Sequence, residues 1–169
     1  MKKFIIFFIL LSIVLSVVFV SSCKNKYIKQ CSKYWNDYDI LFVEIVKPSL
    51  DIDDSNEFMD YYASDEIIEK IEQLEMILDK IEEIAYEHNL KDMPSDTSAM
   101  WQLKSMITAK ERYKIYEDKY TSTYPINGPI DAKSSLKWMV EVSKFSLKWM
   151  VETSERNIKN YDEYFKSRQ

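Results

Sequence analysis

Apolar residues recur along most of this 169-residue chain at steps of three and four, the period that lays them on one face of an α-helix. Ile28, Cys31, Trp35, Tyr38, Phe42 and Ile45 form one such seam and predict a first helix from about Tyr27 to Lys47. Pro48 is expected to end it, because the residue before a proline is pushed out of the α region. Asp54 with Glu57 reads as a capping box for a short helix in "NEFMDYY". Ser64 is expected to cap a second main helix from Asp65 to about Asn89, with Asp65 and Glu66 suiting its positive start. Within it Ile67, Ile71, Leu74, Leu78, Ile81, Ala85 and His88 alternate steps of four and three, the rhythm of coiled-coil-like packing. A third helix is read from about Ser95 to Tyr120, its first half burying Met100, Leu103, Met106 and Ile107. A fourth runs from about Asp131 to Phe165, with a core seam of Leu136, Val140, Leu147, Val151, Ile158 and Phe165. Ser143 and Ser154 lie on that seam as small residues that allow close helix approach.

No sustained apolar–polar alternation bounded by turn residues predicts a strand. The expected fold is therefore all-α: an up-and-down bundle of four main helices plus one short helix, its short connections favouring antiparallel neighbours.

The fourth helix contains one phrase twice. "SLKWMVE" begins at Ser135 and again at Ser146. Eleven residues complete three helical turns with a drift of only about 20°, so each copied side chain returns to the same face. Trp138, Phe145 and Trp149, with Val142 beside them, point about 180° away from the core seam. Lys137, Glu141, Lys144, Lys148, Glu152 and Glu155 crowd onto a narrow polar stripe between the two faces. Two arrangements fit a helix that is apolar on two sides. It is central and contacted on both, or it carries an exposed aromatic patch for another protein, a second copy of the chain, or lipid. The central helix is the expected arrangement, because exposed paired tryptophans on a monomer are uncommon. A second stripe, Tyr113, Tyr116 and Tyr120, reads first as amphipathic packing with hydroxyls reaching water, and second as a ligand surface.

Composition narrows the chemistry. One glycine, Gly128, leaves no glycine-rich phosphate loop, dinucleotide fingerprint or nucleophile elbow. The single histidine, His88, excludes a His-rich zinc site, and Ala85 stands where a di-iron bundle needs Glu. Asp51, Asp53 and Ser55 alternate as calcium ligands do, but Asn56 and Tyr62 occupy the positions of the turn glycine and the bidentate Glu. No metal, no cofactor and no catalytic activity are expected. A net charge of −5 argues against nucleic acid, whose binding needs a basic surface.

The amino terminus adds a location. Lys2 and Lys3 precede a run, Phe4 to Val20, that is apolar except for Ser12 and Ser16 and ends in "VSSC". A charged start, an apolar stretch and small residues before a cut describe a secretory signal. The Val20-Ser21-Ser22-Cys23 ending resembles the lipobox of bacterial lipoproteins. The resemblance covers residues 1–23 alone and implies cleavage of residues 1–22 and a lipid on the Cys23 thiol. An uncleaved transmembrane anchor is the alternative. Residues 23–169 then form one helical domain anchored at Cys23 in the cell envelope. That means the outer membrane in a Gram-negative host, since Lys24 rather than Asp follows the Cys, and the outer leaflet of the cytoplasmic membrane otherwise. Lys24, Lys26, Lys29 and Lys33 lie close to the lipid, where anionic headgroups would attract them, and a solvated basic helix start accounts for them equally well. With Cys23 lipidated, Cys31 has no disulfide partner and is expected to be a buried, inert thiol on the first seam. The membrane, through this lipid, is the one partner the sequence names. The expected function is a non-catalytic structural or protein-binding role. The alternatives are an immunity or inhibitor protein against a toxin or hydrolase, and a bundle that holds a small apolar ligand.

Overall fold

The computed structural model describes residues 2–90, 97–112, 114–115 and 132–166, with side chains over 26–90, 98–112, 114–115 and 136–161. Within them the chain is all helical, without strands. The elements are α1 (Lys2–Ser49), α2 (Ser55–Tyr62), α3 (Asp65–Glu87), α4 (Thr97–Ile107) and α5 (Ala132–Lys166).

α1 departs furthest from the sequence reading. It begins at Lys2 rather than near Tyr27, because no glycine or proline interrupts residues 2–47. The expected start marked only where an amphipathic seam begins, since the preceding run is apolar on every side. The far end also overruns. Pro48 lies inside the last turn rather than beyond it, and the helix stops one residue later, at Ser49. So close to the terminus the missing proline N–H costs little. Leu50 N donates to Lys47 O (3.2 Å) and Ile52 N to Ser49 O (3.3 Å), winding the chain off in tight turns.

The short helix shows the Asp54 half of the expected capping box. Asp54 Oδ1 accepts from the backbone N–H of Asn56 (2.9 Å) and of Glu57 (3.0 Å). Ser64 occupies the N-cap of α3, but its hydroxyl turns away and donates to Tyr61 O (2.7 Å). α3 ends with His88 as C-cap and Asn89 in the left-handed region at φ 51°. Leu90 N reaches back to Ala85 O (2.9 Å) and Asn89 N to Tyr86 O (3.3 Å), the paired bonds of a Schellman end. Asparagine tolerates that conformation better than most residues, and Leu90 is buried behind it. Of the helix read from Ser95 to Tyr120, residues 95–96, 113 and 116–120 lie outside the described residues, and α4 covers Thr97–Ile107 of the rest. It stops at Ile107, Thr108 forms a turn, and helical backbone resumes over 109–112.

α1 is the hub. It packs most extensively against α3 and α5, which make no comparable contact with each other. Tyr27 stacks on His88 (centroids 3.4 Å) and Lys80 lies over the Tyr34 ring (5.9 Å), so α3 runs back along α1. Lys47 Nζ donates to Glu155 Oε1 (2.7 Å), and this hydrogen bond, with the carboxylate's charge, raises the lysine pKa. Lys144 Nζ donates to Ile52 O and lies 5.7 Å from the Phe58 ring centroid. α5 therefore also descends along α1, with α2 against it. Lys104 of α4 pairs with Glu75 of α3, and Lys110 pairs with Asp60 of α2.

The core follows the expected seams in part: Trp35, Leu78, Ala85, His88, Ile107 and Ile158 are only half-buried, and the side chain of Phe165 lies outside the described residues. Cys31, Tyr38, Phe42 and Ile45 are buried, as are Ile67, Ile71, Leu74 and Ile81, and Leu136, Val140, Leu147 and Val151. Met100, Leu103 and Met106 are buried from α4, and Ser143 and Ser154 are buried from α5. Ile28 is exposed instead, since it lies where the packed part of α1 begins. Burial pushes the Cys31 thiol pKa up, so the protonated, unreactive form is favoured.

Tyr62 is fully buried, its hydroxyl 2.8 Å from Ser49 Oγ, which also donates to Val46 O (2.7 Å). Burial drives the Tyr62 pKa well above its ordinary 10.0, against the smaller opposing effect of the Ser49 bond. The folded state thus disfavours the phenolate. Its contribution to stability is complete below about pH 10 and declines above it, by up to about 1.4 kcal/mol per pH unit. Chemical denaturation from pH 8 to 11.5 is expected to show that decline, and Tyr62→Phe to flatten it. An unchanged slope in the variant would assign the alkaline loss elsewhere.

Candidate functional site

α5 carries its core on one face and a second apolar set on the other. At 100° per residue Val140, Leu147 and Val151 cluster about 170° from the centre of Trp138, Val142, Phe145 and Trp149. The first group is buried. The second is not: Trp138 is 67 % exposed, Phe145 80 %, Trp149 62 % and Val142 49 %. The expectation that α5 is the central helix is thereby corrected. α1 takes that place, and none of the helices packed on α5 covers its aromatic side.

Local rules explain how the face is held out. Leu136, Val140, Ser143, Leu147, Val151 and Ser154 turn toward the bundle, and the two small serines let neighbouring helices approach closely. α4 approaches one flank, where Ser146 Oγ donates to Gln102 Oε1 (3.0 Å) and Gln102 Nε2 donates to Ser143 O (3.5 Å). On the other flank Lys137 lies 3.9 Å from Glu141, followed about two and three turns on by Lys148 and Glu152. The apolar face ends after Trp149. Glu152, Glu155, Arg156 and Lys159 line an open cleft of about 560 Å³ beside that ring.

Sequence reasoning missed Trp101, which is 73 % exposed on α4, one residue before Gln102. The signal was present: it sits one position off the Met100–Leu103–Met106 seam, hence turned about 100° from Met100.

The other candidates are not gathered here. Tyr113, Tyr116 and Tyr120 lie outside the described residues, as does the side chain of Cys23. Lys26, Lys29 and Lys33 are exposed on α1. His88 stacks on Tyr27 and lies 3.9 Å from Glu87. The Asp54 carboxylate caps α2. Among the described residues, no group of three or more His, Cys, Asp or Glu is placed to hold a metal ion, and no helix is long and apolar enough to cross a membrane.

Compared with protein-family models, curated proteins and solved structures, the chain matches none.

Proposed function

We propose that the protein is a non-catalytic envelope lipoprotein, anchored through Cys23, whose helical bundle presents the aromatic face of α5 to a protein partner. The supporting observation is the exposure of Trp138, Phe145 and Trp149 on a helix whose opposite face is packed into the core. These three side chains with Val142 offer roughly 500 Å² of apolar surface, judged from aromatic residue size, at the upper end of what monomers expose. Tryptophan and phenylalanine are also the residues concentrated at the centres of interfaces. The anchor rests on the "VSSC" resemblance and on the charged and apolar segments before it.

The bundle itself is read as up-and-down. α1 ascends, α3 descends beside it, α4 ascends against α3 through Lys104–Glu75, and α5 descends along α1. α2 closes one end. This arrangement fixes α5 along its length while leaving one side uncovered.

Quenching by acrylamide tests the face in a Trp101→Phe background, where Trp35 is the remaining partly buried tryptophan. Trp138 and Trp149 are expected to be quenched in the free protein. A photo-cross-linker placed at Phe145 in the native envelope should yield an adduct that one at Glu72, exposed on α3, does not. Loss of that adduct in Trp138→Ala with Trp149→Ala, each costing about 2 kcal/mol or more of binding, would identify the contact. Equal adducts at both sites would reject the face as the docking surface.

A further inference from the structure

The exposed face of α5 is a mirror of itself. Trp138 and Trp149 lie equally far from the point midway between Ser143 and Lys144, and so do Val142 and Phe145. Steps of four, three and four residues separate these side chains, which is the spacing of a helix–helix seam. If a second α5 is laid antiparallel on the first about that midpoint, Trp138 meets Trp149 of the other copy and Val142 meets Phe145. Every large apolar group on the face then has an apolar partner.

The charges obey the same symmetry. Glu141 and Lys148 stand immediately before Val142 and Trp149, on the same flank of the seam and away from α4. Both are exposed. In the antiparallel pair these flanking positions face each other across the seam, so Glu141 of each copy meets Lys148 of the other, twice by symmetry. The opposite flank carries Met139 and Ser146, which bring no like charges together. A parallel pair lacks this match: Glu141 would face Ser146, and Lys148 would face Thr153. Attraction and orientation thus select the same geometry.

We infer that the partner of this face is a second copy of the chain, docked α5 to α5, antiparallel, about a two-fold axis between Ser143 and Lys144. The inference rests on reading the face as a docking surface, and it accounts for the repeated "SLKWMVE". Eleven residues place the second tryptophan where the two-fold axis carries the first. The pair buries roughly 1,000 Å² over both copies from the four apolar side chains alone, with the flanking residues adding more. That is the lower range for a specific complex, so a dimer held in the micromolar range is expected.

The test is charge exchange on the full chain, purified in density-matched detergent and followed by sedimentation equilibrium. Glu141→Lys or Lys148→Glu alone sets like charges against each other at both symmetric positions and should weaken the dimer about tenfold. The double exchange, Glu141→Lys with Lys148→Glu, should restore affinity to within about threefold of the parent, because effects confined to one helix would not be rescued. In native membranes, chains bearing Glu141→Cys and Lys148→Cys should join through a short thiol cross-linker only when both are present. Cys31 is buried and Cys23 carries the lipid in this reading. A monomeric parent that gives no mixed cross-link overturns the proposal, as does a dimer that the double exchange does not rescue. A monomer that still gives an adduct at Phe145 would leave the docking surface standing and remove the second copy as its occupant. Unfolding of the Trp138→Ala variant would remove both.

Discussion

Phe42→Ala is expected to destabilise the fold by about 3–5 kcal/mol, whereas Trp149→Ala should change its stability by less than about 0.5 kcal/mol. The two side chains are of similar apolar character, and the difference lies in what surrounds them. Phe42 is 1 % exposed, stacks on Tyr38 at 6.1 Å between centroids, and belongs to the cluster shared by α1 with the helices packed on it. Truncating it removes transfer free energy and leaves a cavity that fixed neighbours cannot close. Trp149 is 62 % exposed, so most of what its truncation removes was already in water. Equilibrium unfolding in urea measures both. A loss of 3 kcal/mol or more for Trp149→Ala would mean that its ring is covered in the folded protein, and the docking face would fall with it.

Cys23→Ser is expected to abolish incorporation of a labelled fatty acid completely and to leave residues 1–22 attached. The effect is all-or-none because a hydroxyl does not replace the thiolate as the group that takes the lipid. Cys31→Ser supplies the control. Its side chain is buried and its thiol pKa is raised, so it is not an acceptor, and labelling should persist in that variant. Gel mobility reads the uncleaved precursor, and carbonate extraction reads the loss of anchoring. Labelling that survives Cys23→Ser would refute the lipid anchor.

Much of the fold was legible in residue spacing. The seams of the main helices follow the three-and-four period, and Asp54 announced the start of α2 because a carboxylate can satisfy free N–H groups at a helix start. Cys31 was readable as a buried thiol from its place on the seam. Features governed by chemistry that is not periodic were harder. The start of α1 could not be read because a run apolar on every side has no phase. Ser64 was placed as a cap, but its hydroxyl found a carbonyl on the preceding turn instead, a choice made by local geometry among near-equal bonds. Pro48 was read as a stop, and it falls one residue inside the helix because a terminal turn can close with shorter bonds.

By itself the sequence determined that α5 is apolar on two opposite faces and that the repeat keeps Trp138 and Trp149 on one of them. It also determined the mirror spacing of Trp138, Val142, Phe145 and Trp149, since a helix converts positions into directions without help from the rest of the chain. Only the tertiary structure decided which face is covered. Periodicity reports where a side chain points, not what stands opposite, and either face of α5 has apolar area enough to serve as core. The choice fell to the whole bundle. α1, packed against both α3 and α5, took the central position, and the small residues Ser143 and Ser154 let α5 sit close on its other face. With that face in the core and none of the described helices over the opposite one, the tryptophans remain exposed.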